Sequence, residues 1–237
     1  MKKNIPPFRP AEKNSLWIVI PAYNEETVIE SVIAEVRRAG YENILVVDDG
    51  SKDATFEVAQ KTGVKVLKHR LNRGKGAATK TGIEATKLFD ADIIVTMDGD
   101  GQHNPSDIDR LMVPIQNKKA DVVLGTRLKN PKGMPWYKIV HNMIGNAIVW
   151  YLYGLWVSDS QSGFRAYSRY AAEHIDTKTD RYEYDSEVIR EIYKHKLKYR
   201  EIPIEVRYTE YSMGKLQKQS FLTGIKTFFR MVFHIVR

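Results

Sequence analysis

Short apolar runs rich in β-branched residues recur through the first half of the chain, at 16–20, 44–47, 64–67, 93–97 and 122–124. Each is continuous rather than alternating, the pattern of strands covered on both faces. Between them, apolar positions fall at helical spacing over 25–39, 54–62, 76–88 and 106–117. Val28, Val32 and Val36 form one such stripe, with Asn24 placed to cap it. This alternation predicts an α/β fold, a mostly parallel sheet flanked by helices.

The pattern changes after residue 125. Pro131, Gly133 and Pro135 mark a loop, and 139–158 carries no charged side chain. That length approaches a bilayer span, but His141, Asn142, Gly145, Asn146 and Gly154 interrupt it. A spanning helix is therefore not expected, and a helix buried in protein and one lying at an interface both stay open. A helix over 184–195 and a strand over 199–208 follow. The last helix, about 219–237, sets Phe221, Leu222, Ile225, Phe228, Phe229, Val232 and Val236 against a stripe of Lys226, Arg230, His234 and Arg237. Such a face suits an anionic membrane surface as well as it suits a core.

Composition narrows the class. The 237 residues suffice for one domain with appendages, and 43% hydrophobic with 28% charged residues describes a folded chain. No cysteine is present, which excludes disulfides, thiolate metal sites and cysteine nucleophiles. The first residues lack the apolar core of a signal peptide, so a cytosolic setting is expected. The net charge is +8, and no Asp or Glu follows Glu210, so the C-terminal end favours an anionic partner. Acidic strand ends argue against nucleic acid as that partner.

The chemistry-bearing residues stand at the ends of the strands, where parallel sheets bind ligands. Pro21-Ala-Tyr23-Asn24-Glu25-Glu26 follows the first strand and Asp48-Asp49-Gly-Ser51-Lys-Asp53 the second, where Ser51 is placed to cap the next helix. Arg73-Gly-Lys75-Gly follows the third and offers a cation for a diphosphate. After the fourth comes Asp98-Gly99-Asp100-Gly-Gln102-His103. In an extended segment Asp98, Asp100 and Gln102 share a face. Three such oxygen ligands suit Mg²⁺ or Mn²⁺, ions that complete their shell with substrate phosphates.

These stretches, together with Ser162-Gly-Phe164-Arg165-Ala, resemble family 2 glycosyltransferases, inverting enzymes with the GT-A fold. Within that family they are most similar to the dolichol-phosphate mannose synthase and polyprenyl-phosphate glycosyltransferase group. The resemblance implies a nucleotide-sugar site of Pro21, Tyr23, Glu25, Val47, Asp49, Asp98 and Gly99, with Asp100 and Gln102 on the metal. It implies an acceptor-phosphate site of Arg127, Lys138, Asn142 and Lys215, and catalytic roles for Asp98, Asp100 and Arg127. Lys138 and Asn142 stand where the mannose synthases carry Arg and Ser, and the late Gly-x-Ser-Lys motif is reduced to Ser212-Met-Gly-Lys215.

The implied activity is metal-dependent transfer of a sugar from GDP-mannose, UDP-glucose or UDP-GlcNAc to a polyprenyl (dolichyl) phosphate, by a protein peripheral on the cytosolic face of a membrane. A sugar hydroxyl is the alternative acceptor, and Asp159 the candidate base for it. The implied organisation is an N-terminal extension (1–15), a catalytic domain (16–210, nucleotide half 16–125 and acceptor half 126–210) and the basic C-terminal helix (211–237).

Overall fold

The structure is a computed structural model and describes residues 15–129, 134, 136–181, 183–207 and 211. The expected helix at 219–237 lies outside the described residues, as does Lys215.

The first strands form where the apolar runs predict them. These are β1 (Leu16–Ala22), β2 (Ile44–Asp48), β4 (Ile93–Thr96) and β5 (Val122–Thr126), every residue of each buried. Strand β3 (Lys65–Lys68) departs from the expectation that all five strands are doubly covered. It is the sheet's outer edge and is largely exposed, and its lysines keep that edge solvated.

The helices between them are α1 (Ile29–Arg38), α2 (Thr55–Lys61), α3 (Lys75–Leu88) and α4 (Ile108–Gln116), the last preceded by a 3₁₀ turn at Pro105–Asp107. The chain continues through α5 (Trp136–Tyr153), β6 (Arg165–Ser168), α6 (Arg169–His174), α7 (Glu183–Lys194) and β7 (Tyr199–Pro203).

The seven strands are ordered β3-β2-β1-β4-β6-β5-β7. All neighbours are parallel except β6, which runs antiparallel between β4 and β5. Two apolar layers cover the sheet. One joins Ile18, Ile20, Val46 and Val95 to α1 and α4; the other joins Val19, Val47, Ile94 and Tyr167 to α3 and α7. Gly82 lets α3 seat on the second layer, since a Cβ there would overlap Val19 and press within 3.2 Å of Val47. The carboxyl ends of β1, β2 and β4 therefore open on one edge, with the end of β5 close by.

Candidate active site

The loops after β1 and β2 lock to each other, and neither Asn24 nor Ser51 caps the following helix as the sequence suggested. Asn24 takes φ = 54°, a left-handed conformation that Asn tolerates, and its backbone N–H donates to Ser51 Oγ (2.9 Å). Its side-chain oxygen accepts the Lys52 N–H (2.9 Å), so Asn24 does not cap α1, which begins later at Ile29. Ser51 instead donates its hydroxyl to Asp48, and Asp53 accepts the Thr55 N–H (3.1 Å) at the start of α2. Glu26 and Asp53 close the pair: Glu26 accepts the Ala54 N–H (2.9 Å) while Asp53 accepts the Glu26 N–H (3.2 Å).

Asp49 is the hub of this edge. Its buried carboxylate accepts the N–H groups of Arg73 (3.0 Å) and Gly74 (2.7 Å) and meets His69 Nδ1 at 2.7 Å. The other His69 nitrogen lies 3.0 Å from Thr81 Oγ1. Gly50, Ser51, Lys68, His69 and Arg70 line an open hollow of about 350 Å³ beside it. Pro21 and Val47 pair in register across β1 and β2, and both are buried in the sheet. Tyr23 is exposed, while Glu25 is nearly covered and accepts the hydroxyl hydrogen bond of Tyr211 (2.8 Å).

At the end of β4 the backbone N–H of Asp98 donates to His103 Nδ1 (3.1 Å). That bond puts the imidazole proton on Nε2, and burial pushes the His103 pKa down to about 4, so the ring is neutral. Its ring stacks on Phe164 with centroids 4.8 Å apart. The Asp98 carboxylate meets the Lys75 ammonium at 2.8 Å. Burial alone would raise the Asp98 pKa, but its neighbours, Lys75 first among them and Arg127 with it, together hold the group at about 2. Lys75 itself is displaced upward, because Asp185 and Asp98 overcome the opposing effect of burial.

Asp100 shows the reverse balance. Burial and the neighbouring Asp98 charge push it up to about 6. One of its oxygens accepts the Gln102 N–H (3.0 Å). Gly99 keeps this turn against β1, where a Cβ would lie 3.1 Å from the Pro21 carbonyl oxygen. Among the described residues, no three His, Asp or Glu side chains converge tightly enough to hold a metal ion. The all-oxygen donors of Asp98, Asp100 and Gln102 fit a hard cation whose shell is shared with phosphate oxygens.

Across from Asp98, Arg127 at the end of β5 is gripped by Asp159. Nε and Nη2 donate to its two oxygens at 2.7 and 2.8 Å, and the Arg127 N–H adds a third bond at 3.0 Å. Burial would raise the Asp159 pKa, yet Arg127 overcomes it and holds the carboxyl below its ordinary range. The guanidinium is close enough to act on Asp98 and His103, so the two sides share one electrostatic site.

Helix α5 is attached to this clamp through polar residues. Asn146 donates to the Ser158 carbonyl (2.5 Å) and accepts from the Ser160 N–H and hydroxyl (both 2.9 Å). Asn142 is buried on the same face, whereas Met143, Ile144, Trp150 and Tyr151 are exposed. Asn142 and Asn146 thus lie inward beside the core residue Val149, while the outward face is apolar. Of the expected acceptor residues, Arg127 and Asn142 are described; Lys138 falls within α5 but its side chain, like Lys215, lies outside the described residues. The motifs gave no signal for Asp185, His69 or Tyr211, since each reaches the site from a distant part of the chain.

Residues 17–176 match the family described as Glycosyl transferase family 2. An uncharacterized protein of Methanocaldococcus jannaschii is 43% identical over 237 residues, covering 98% of this chain and 97% of that one. A UDP-N-acetylglucosamine–dolichyl-phosphate N-acetylglucosaminyltransferase of Methanococcus voltae is 38% identical over 239 residues, covering 92% and 94%. The solved structure of glucosyl-3-phosphoglycerate synthase from Mycobacterium tuberculosis, in complex with Mn²⁺, UDP and phosphoglyceric acid, superimposes with a TM-score of 0.64. It is 21% identical and covers 95% of this chain and 84% of that one.

Proposed function

This chain belongs to glycosyl transferase family 2 and is a glycosyltransferase with the GT-A fold, and we propose that it moves a sugar from a nucleotide-diphosphate sugar to a polyprenyl phosphate. UDP-N-acetylglucosamine is the first donor to test, from the name of the Methanococcus relative. In this reading Pro21, Tyr23, Glu25, Val47 and Asp49 hold the nucleotide, Asp98 and Gly99 border the departing diphosphate, and Asp100 and Gln102 hold Mg²⁺ or Mn²⁺. A bound divalent cation supplies Lewis-acid stabilisation of the leaving diphosphate.

The observation that carries the acceptor assignment is the Arg127–Asp159 clamp. A sugar hydroxyl needs a general base, and Asp159 was the carboxylate available for that task by sequence. Its two oxygens are committed to Arg127, and its pKa is depressed. A lipid phosphate needs no base, because its second pKa is about 6 and it is already a nucleophile at neutral pH. Arg127, fixed by Asp159, presents a rigid cation for that phosphate, with Asn142, Lys138 and Lys215 completing its site.

The outward face of α5 supports a lipid neighbour. Apolar side chains exposed along one helix face adapt it to an acyl or isoprenoid environment. No described helix is long and apolar enough to cross a membrane. Peripheral attachment to an anionic membrane surface on the cytosolic side fits this face and the basic end of the chain.

Transfer from a panel of UDP- and GDP-sugars to polyprenyl phosphate, in detergent with Mn²⁺, tests the proposal. Lipid-linked product from one donor is expected. Donor binding without lipid product, across varied lipids and metals, would move the hydroxyl acceptor to first place.

A further inference from the structure

Lys75 is the first residue of α3 and sits where three elements meet. Its ammonium lies 2.8 Å from Asp98, beyond β4, and 3.6 Å from Asp185 in the first turn of α7. The turn before β6 closes the third side: a Cβ on Gly163 would overlap Lys75 Nζ and come within 2.7 Å of Asp98 Oδ1. The loop leading to α7 approaches α3 over glycine as well, since a Cβ at Gly74 would lie 2.5 Å from the Asp180 carbonyl oxygen. The Ala77 N–H donates to that same carbonyl at 2.9 Å. This end of α3 is therefore covered by protein, and the charge it offers the donor edge is the Lys75 side chain.

Asp185 stands between two cations. Beyond Lys75 its neighbour is Arg165, almost wholly buried, whose Nη2 is 3.5 Å from Asp185 Oδ1 and donates to the Asp185 carbonyl at 3.0 Å. Arg165 is pinned further by the carbonyls of Ser160 and Ser162, both at 2.8 Å. The carboxylate is thus fixed from behind by an immobile guanidinium and faces a lysine that is a quarter exposed toward the donor edge.

That edge is acidic. Asp98, Asp100 and Glu25 would all repel a nucleoside diphosphate, and a lysine drawn wholly onto Asp98 would do little to offset them. An ammonium has three N–H donors. Anchored to Asp98 on one side and attracted by Asp185 on another, Lys75 retains a donor for a third oxygen.

We propose that Asp185 is a positioning residue for the sugar donor: it holds the Lys75 ammonium beside Asp98 in the orientation that meets a diphosphate oxygen. This rests on the donor-site reading above and adds a residue to it. Asp185 acts only through Lys75, and Gly163 supplies the space that their arrangement needs.

The test is a double-mutant cycle read as UDP and GDP affinity by calorimetry, with Mn²⁺ and again in EDTA, with no lipid present. Lys75→Met should weaken the preferred nucleotide about tenfold or more, the scale of one charge-assisted hydrogen bond. Asp185→Asn should weaken it several-fold while Asp185→Glu recovers part of the loss. The double variant should bind no worse than Lys75→Met alone. Unchanged affinity in a folded Asp185→Asn protein, or additive losses in the cycle, would overturn the proposal. Should Asp185→Asn fail to fold, Gly163→Ala displaces the same ammonium from the opposite side. Because that Cβ also presses on Asp98, its expected loss must shrink, not vanish, in the Lys75→Met background, and unchanged affinity overturns the proposal equally. A wild-type protein that binds neither nucleotide would remove the donor-site reading itself.

Discussion

On the donor side of the sheet edge, Asp98 and Asp185 share one ammonium, that of Lys75, while Asp100 feels the charges of Asp98 and Glu25. On the acceptor side one carboxylate, Asp159, is wholly engaged in holding one guanidinium, that of Arg127. The donor side is short of positive charge, and Asp100 is pushed up to about 6 by burial and by Asp98. The acceptor side is balanced and rigid, with Asp159 held below its ordinary range by Arg127 despite burial. The first arrangement calls for a cation that arrives with its ligand. The second arrangement presents a cation already in place. A diphosphate accompanied by a divalent ion suits the one, and a bare phosphate monoester suits the other.

The largest effect should come from removing the carboxylate best placed to need that cation. Asp100→Ala is expected to cut turnover by about 100-fold or more, on the scale of a lost electrostatic group at a reacting centre. Steady-state sugar transfer measures it, with circular dichroism to show that the fold is kept. Full activity would break the donor side of the comparison.

Next in size is Arg127→Ala, which should lower transfer by about 100-fold while weakening nucleotide binding far less. Calorimetry with UDP and GDP separates the two readouts. Equal losses in both would mean that the two sides do not divide the work in this way.

The rigidity of the acceptor clamp has a pH signature. Asp159 has a folded pKa below its unfolded one, so its stabilisation is fully present above about pH 4. It is lost as pH falls through the depressed folded value. The gap in melting temperature between wild type and Asp159→Asn should therefore be widest near neutrality and narrow at acid pH. A gap that grows on acidification would contradict the sign of this shift.

A smaller effect concerns α5. Changing Met143, Ile144 and Tyr151 together to Gln should leave stability within about 1 kcal/mol, because these side chains are exposed. Binding to liposomes should weaken severalfold. Vesicle sedimentation reads the difference, and undiminished binding would place the lipid contact elsewhere.

Much of this was legible in the order of residues. Continuous apolar runs marked β1, β2, β4 and β5 because a strand covered on both faces has no polar alternation to hide. The motifs at the strand ends marked the edge where Asp49, Asp98 and Arg127 stand. Strand β6 was not legible: Arg165-Ala-Tyr-Ser168 reads as a polar tetrapeptide, yet all of it is buried. Arg165 is held by the Ser160 and Ser162 carbonyls of the preceding loop and by Asp185 in α7, and neither main-chain partners nor a distant carboxylate show in a residue's type. The same limit hid Asp185 beside Lys75, a contact between residues 110 positions apart that no local pattern encodes. Strand β7 ends at Pro203, short of the expected 208, and among the described residues beyond it one bridge forms, between His103 and Val206. Asn24 and Ser51 were read as helix caps because their types favour that role, but each found a partner in the neighbouring loop.

If the acceptor is a phosphate monoester, no general base at Asp159 is needed. Phosphorus NMR of a turnover mixture holding polyprenyl phosphate, donor sugar and Mn²⁺ tests it directly. The lipid monoester resonance should give way to that of a lipid phosphodiester carrying the sugar, and Arg127→Ala should block the change. A monoester signal that persists unchanged while the sugar appears on a hydroxyl acceptor would contradict it.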